Sequence, residues 1–239
     1  MKNVLITGGS KRIGRELALF FGEKGWNVII HYNRGDYNAE ELLHNLKNNY
    51  PTQKFHIVKE DFSSGATAAN NLFEKINALN IKLDLLINNA SIFIESSLAE
   101  TSSDIFSENA KVNLETPFFL MKNFYKSFKS GVIINILDTR INNNYSSHGI
   151  YSLSKKSLAE LTKMAALEWA PNIRVNGVAP GPVLPPIDKG SEYFENVVNK
   201  TPLKKSVKLD NLLNSVYFLV KNDSITGQII YCDSGEHLL

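Results

Sequence analysis

The sequence predicts an α/β protein with a parallel sheet covered by helices on both faces. Three observations predict it. Apolar β-rich runs alternate with amphipathic helical stretches in units of ~30 residues. A glycine-bearing turn separates the first strand from the first helix. Finally, 239 residues with 43% hydrophobic content suffice for one large core, with no internal repeat or linker to divide the chain.

In chain order, Lys2–Thr7 is a buried-strand pattern, and Ile13–Lys24 has helical apolar spacing through Leu17, Phe20 and Phe21 until Gly25 stops it. Trp26–Tyr32 is a second strand, Ala39–Asn49 a second helix and Lys54–Lys59 a third strand. A helix through Leu72, Phe73, Ile76 and Leu79 leads to a strand at Leu83–Ile87. One long helix is expected over Asp104–Phe128, where Pro117 should disturb the ladder near Asn113. A strand at Val132–Leu137 ends at Asp138, and the helix bearing Tyr151 and Lys155 runs to about Ala170. Asn172–Val178 is a sixth strand, Asp210–Val220 a helix and Gln228–Cys232 a seventh strand. Between them, Val183–Thr201 breaks the alternation and reads as a lid or substrate loop.

Composition excludes several classes. A net charge of +2 and scattered basic residues argue against a nucleic-acid partner. No apolar run reaches the ~18–20 residues of a membrane span. The single cysteine, Cys232, cannot form an internal disulfide and reads as a buried structural thiol. The chain enters its first strand at Val4-Leu5-Ile6, so a soluble, reducing, cytoplasmic setting is expected. The five histidines form no H-x-x-x-H or H-E-x-x-H pattern, so no metal site is expected. A Ser-His-Asp hydrolase lacks its G-x-S-x-G elbow.

What remains is nucleotide chemistry. In Thr7-Gly-Gly-Ser-Lys-Arg-Ile-Gly14, glycines at a strand-to-helix turn let the backbone approach a pyrophosphate at the helix N-terminus. The spacing is T-G-x-x-x-R-x-G, with Arg12 where a central glycine is expected. The second strand ends in His31-Tyr32-Asn33-Arg34, with no acid before Asp36 to accept from a ribose 2′-hydroxyl. Lys11, Arg12 and Arg34 are instead able to converge on a 2′-phosphate, which favours NADP(H) over NAD. Asp61, beside Phe62 after the third strand, is placed to accept from an adenine amine. Asn88-Asn89-Ala90-Ser91-Ile92-Phe93 brings amides and a hydroxyl to the sheet edge where open α/β folds bind ligands. Tyr151 and Lys155 lie four apart on one helix face, ~5–6 Å between Cβ atoms, and a nearby ammonium lowers a phenol's pKa from ~10. The pair is a candidate proton donor.

Together Thr7-Gly8, Gly14, Asp61, Asn88-Asn89-Ala90, Asn113, Tyr151-x-x-x-Lys155 and Pro180-Gly181 resemble the short-chain dehydrogenase/reductases over essentially the whole chain. The resemblance implies a single-domain Rossmann fold over residues 1–239 with seven parallel strands ordered 3-2-1-4-5-6-7. It implies Tyr151 as proton donor, Lys155 as its tuner and holder of the nicotinamide ribose, and Asn113 as holder of a relay water. It also implies cofactor contacts at Gly8, Ile13, Gly14, Asn89, Ala90, Ser91, Pro180 and Gly181. Helix pairing across two-fold axes implies a homotetramer, with a dimer as second choice.

Four departures resemble the pteridine reductase branch: Arg12, the His31-Tyr32-Asn33-Arg34 segment, Ser91-Ile92-Phe93, and Asp138 in place of the usual serine 13 residues before the tyrosine. In that branch the counterpart of Arg12 contacts cofactor phosphate and substrate, and that of Phe93 stacks on the pterin. Ser91, Asp138 and Tyr151 complete the implied substrate set. Two further departures are Asp233-Ser234-Gly235 for the usual D-G-G, and a Val183–Lys189 stretch without the threonine that commonly follows Pro-Gly. A carboxylate at position 138 repels a developing alkoxide but suits a ring nitrogen that gains a proton. The reading is therefore an NADPH-dependent reductase of a pterin C=N bond. A carbonyl reductase, for example of 3-oxoacyl thioesters, is the alternative, and a silent NADP-binding regulator is a third reading.

Overall fold

The computed structural model describes residues 1–186 and 189–239. Its first half runs β1 (Asn3–Ile6), α1 (Arg12–Glu23), β2 (Asn27–Tyr32), α2 (Asp36–Asn49), β3 (Phe55–Lys59), α3 (Ala66–Ala78) and β4 (Leu85–Asn88). The second half runs α4 (Ser103–Ala110), α5 (Thr116–Phe128), β5 (Gly131–Ile136), α6 (Gly149–Glu168), β6 (Ile173–Pro180), α7 (Ser191–Lys200), α8 (Leu209–Lys221) and β7 (Ile229–Cys232). All seven strands pair in parallel, in the order β3-β2-β1-β4-β5-β6-β7.

Because strand side chains alternate faces, β1 sends Val4 and Ile6 to one core and Leu5 to the other. The first core adds Leu17 and Phe21 of α1, Leu42 of α2 and Val216 of α8. The second takes Leu72 and Phe73 of α3, Leu120 and Phe124 of α5 and Ala165 of α6. The strand order reverses between β1 and β4, so the crossovers leave a crevice at their carboxyl ends.

The expected single helix over Asp104–Phe128 is three pieces. Between α4 and α5, Lys111–Glu115 forms a wide π-turn in which the Thr116 N–H reaches back to the Lys111 carbonyl. Pro117 has no N–H to give the Asn113 carbonyl, and the widened turn is the form that disturbance takes.

The expected lid over Val183–Thr201 also differs. It contains α7, an amphipathic helix whose Tyr193, Phe194, Val197 and Val198 follow helical spacing. Residues 187–188 of that segment lie outside the described residues. Cys232 is half-buried rather than buried, and burial pushes its thiol up. In the Asp233-Ser234-Gly235 corner, Ser234 takes the left-handed φ of 56° that a glycine would adopt more easily. No described helix is long and apolar enough to cross a membrane.

Candidate active site

The crevice holds two cavities at the carboxyl edge of the sheet. One, of about 400 Å³, is lined by Gly8, Lys11, His31, Tyr32, Asn33, Arg34, Asp61, Phe62, Ala90 and Ser91. The other, of about 460 Å³, is lined by Arg12, Ile13, Asn89, Ser91, Phe93, Asp138, Tyr151, Lys155, Pro180 and Gly181. The chain from Val183 to Pro186 forms part of the second wall.

The glycine turn is locked from three sides. Gly8 sits at φ +61°, and a Cβ on Gly14 would collide with the Gly8 carbonyl, so the turn needs glycine at both places. The Thr7 hydroxyl accepts from the Asn89 and Ala90 N–H groups at 2.9 and 3.0 Å, while Asn89 Nδ2 donates to the Thr7 carbonyl at 2.9 Å. Gly14 and Asn89 thus build the turn, and Asn89 also faces the second cavity.

His31 is the third lock. Its Nδ1 accepts from the Gly8 N–H at 3.1 Å, which assigns the proton to Nε2, donating to the Glu60 carbonyl at 3.0 Å. Its ring stacks on Phe62 at 4.0 Å between centroids. Burial pulls the imidazole down to about 4, so it is neutral near pH 7. His31 thus lines the first cavity while both of its ring nitrogens hold backbone partners and brace the turn.

The cations divide differently from expectation. Lys11 and Arg34 line the first cavity, together with Asn33 and Asp61. Asp36, the first acid after β2, is engaged by Lys59 at 2.8 Å and by the Tyr32 hydroxyl at 3.2 Å. Asp61 accepts from Asn33 Nδ2 and the Ser63 N–H with one oxygen. Arg12 does not join Lys11 and Arg34. Its left-handed φ of 50° turns it into the second cavity, where Nη2 donates to the Pro185 and Leu184 carbonyls at 3.1 and 3.4 Å.

A nicotinamide dinucleotide fits this crevice on the structure's own terms. The first cavity runs from the glycine turn at Gly8 and Ser10, where backbone N–H groups suit a pyrophosphate, to a cationic end at Lys11 and Arg34. When bound, such a cofactor supplies the hydride.

At the reacting end, Tyr151 is buried in α6 and its hydroxyl donates to Asp138 Oδ2 at 2.7 Å. Asp138 Oδ1 accepts from the Arg140 N–H at 2.8 Å, which caps the short 3₁₀ turn Thr139–Asn142 and fixes the carboxylate. Lys155 is buried, donates to the Ile136 carbonyl at 2.9 Å, and is lowered by burial to about 8. Two opposing influences on the phenol are expected, Lys155 lowering its pKa and Asp138 raising it. Burial first, then the charge of Asp138, push Tyr151 well above its ordinary value, and the opposing cation is Arg140.

Asn113 is fully buried and its side chain is fully used. Oδ1 accepts from Ser91 Oγ and the Ile92 N–H at 2.9 and 3.0 Å; Nδ2 donates to the Ile92 carbonyl and Asn109 Oδ1 at 3.0 and 3.1 Å. It clamps the Ser91–Ile92 loop. Phe93 is 54% exposed, with His148 stacked at 4.0 Å and the Tyr151 ring edge-on at 4.6 Å.

Three neighbours were not found from the sequence: His148, Arg140 and Glu236. His148 sits one turn before Tyr151, a spacing that hints at a shared face. Nothing local marks Glu236, which the C-terminal tail brings close enough for Asp138 to help raise it, after burial, to about 7.

The model of the short chain dehydrogenase family matches residues 2–195. The chain belongs to the short-chain dehydrogenase family. It is accordingly an oxidoreductase, an enzyme rather than a silent regulator. Among solved structures of the family, it is similar to FolM alternative dihydrofolate reductase 1 from Brucella canis, complexed with NADP, with 32% identity and a TM-score of 0.93 over 100% of this chain and 94% of that one. Among curated members, it is 30% identical to pteridine reductase 1 of Leishmania tarentolae over 98% of this chain and 96% of that one. It is 29% identical to 2-dehydro-3-deoxy-D-gluconate 5-dehydrogenase of Formosa agariphila, over 98% and 92%. The family is therefore firm, while its members' names span several substrates.

Proposed function

We propose that the protein is an NADPH-dependent reductase of a pterin-type C=N bond, of the dihydropterin or dihydrofolate kind. The observation that carries this reading is the Tyr151–Asp138 hydrogen bond at 2.7 Å, where the rest of the family usually has a serine hydroxyl. A carboxylate beside the proton donor opposes an alkoxide, but it accepts well from the amino and N–H groups of a pterin. Tyr151 gives its proton to the ring nitrogen, and Phe93 offers a half-exposed aromatic face at the mouth. Lys11 and Arg34 hold the 2′-phosphate of NADP(H), Gly8 and Ile13 face the pyrophosphate, and Lys155 with Pro180 and Gly181 holds the nicotinamide end. Similarity to the Brucella and Leishmania proteins supports the same substrate class.

Carbonyl reduction is the second reading, favoured by the similarity to the gluconate dehydrogenase. NADPH oxidation with dihydrobiopterin, dihydromonapterin, dihydrofolate and an acetoacetyl thioester decides between them. Turnover of a pterin or folate with an inert thioester is the expected result. The reverse pattern overturns the proposal.

A further inference from the structure

Proton donation by Tyr151 creates an electrostatic difficulty that the family's tyrosine–lysine pair does not resolve here. The phenol oxygen lies 2.7 Å from Asp138 Oδ2, so losing its proton leaves two anionic oxygens in contact in a buried site. Lys155 sits 5.9 Å from the centre of the tyrosine ring, with its ammonium committed to the Ile136 carbonyl.

Arg140 is placed differently. Its backbone N–H already holds Asp138, and its guanidinium lies 5.6 Å from the centre of the Phe93 ring, which in turn packs edge-on against Tyr151. Among the described residues the guanidinium forms no salt bridge, and its Nη1 is buried without a hydrogen-bond partner. Such a group calls for an explanation. Arg174 shows the contrast: it is half-buried too, but spends its nitrogens on the Leu219, Val220 and Ile225 carbonyls as a structural brace.

The other charges around Arg140 are occupied or weak partners. Glu95 is engaged by Lys189 at 3.1 Å, and Asp233 by His237 at 2.8 Å. Burial lowers the His148 imidazole, with help from Arg140 itself. Glu236, raised to about 7, is only partly ionised near neutrality.

We propose that Arg140 is a positioning residue that supplies the countercharge for the Asp138–Tyr151 pair. The proton leaves the Tyr151 oxygen for the substrate heteroatom, and the field of Arg140 offsets the second negative charge that forms beside Asp138. This rests on Tyr151 being the proton donor and is indifferent to whether the substrate is a pterin or a ketone.

The test uses the full chain with whichever substrate of the four above turns over, and compares R140Q and R140K with the parent. Removing the charge makes the phenol a weaker acid, so proton transfer becomes more rate-limiting. R140Q should lower kcat by roughly tenfold or more and raise the solvent deuterium isotope effect on kcat, with NADPH affinity unchanged. R140K should recover most of both. Loss of kcat with an unchanged isotope effect, or equal loss in R140K and R140Q, would reduce Arg140 to packing and overturn the proposal. If R140Q does not fold, R140M replaces it. If neither folds while R140K does, the charge serves folding rather than proton transfer, and the proposal also falls. Y151F separates the two layers: full turnover in that variant refutes the proton-donor reading whatever Arg140 does.

Discussion

The Tyr151 hydroxyl points its proton at Asp138, 2.7 Å away, and not into open space. Proton donor and carboxylate are therefore one unit, and a change at Asp138 acts on Tyr151 directly. Serine at this position is smaller and uncharged, and its hydroxyl is able to accept from the Arg140 N–H that Asp138 now caps. D138S should keep the fold and NADPH binding while pterin turnover falls by ~10²–10⁴-fold, the range of a positioned acid–base group. Ketone turnover should hold or rise, because the repulsion on an alkoxide is gone. Parallel NADPH-oxidation assays on both substrate types check this.

Cofactor choice follows from Lys11 and Arg34 flanking one cavity while Lys59 engages Asp36. NADPH should bind more tightly than NADH. R34A should shrink the difference by ~1–3 kcal/mol, the scale of lost charge-assisted hydrogen bonds to phosphate. Fluorescence titration with both cofactors measures it, and equal affinities in the parent protein would refute the assignment.

Phe93 touches both His148 and Tyr151, so its removal should not be a pure binding defect. F93A should raise KM for a pterin by roughly tenfold, by the loss of about 1 kcal/mol or more of aromatic contact. A smaller fall in kcat should accompany it as the Tyr151 ring loses its edge contact. Steady-state kinetics separate the two effects.

His31 ties stability to pH. Its folded value of about 4 lies below the ordinary 6.5, so the unfolded chain takes up the proton first. The neutral form's contribution is complete above about pH 6.5 and is lost as pH falls from 6.5 towards 4. The loss is on the order of 3 kcal/mol. Protonating Nδ1 also removes the acceptor for the Gly8 N–H. Urea unfolding of the parent and H31N across this window should show the stability gap narrowing at low pH, and a pH-independent gap would refute the role.

Assembly is expected to be tetrameric. An apolar groove of about 640 Å³ lies away from the chemistry, lined by Leu114 and Phe118 on one side and Leu161 and Met164 of α6 on the other. Met164 in this groove is largely exposed, as is Leu167 further along α6. Light scattering at micromolar concentration should give four chains. M164E should lower that number if α6 forms the contact, and a monomeric parent would dismiss the expectation.

The sequence alone determined the layered architecture, because strand alternation and helical apolar spacing are local periodicities that burial enforces. It also marked Gly8, Asp138, Tyr151 and Lys155, whose residue types are set by a turn's backbone or by proton chemistry. Only the tertiary structure decided how they work. That His31 props the turn depends on β2 lying beside both the glycine loop and β3. Asn113 clamps Ser91 and Ile92, 22 and 21 residues earlier, through the packing of the π-turn on the loop after β4. The phenol's raised pKa reflects distances and burial summed over β5, α6 and the 3₁₀ turn, and periodicity carries no information on such distances. Arg140 and Glu236 are 96 positions apart in sequence. Asp138 caps the turn bearing Arg140, and Glu236 joins it because Thr139 bonds Asp233 at 2.9 Å and Asn142 bonds the His237 carbonyl at 2.7 Å, folding the tail back over the turn.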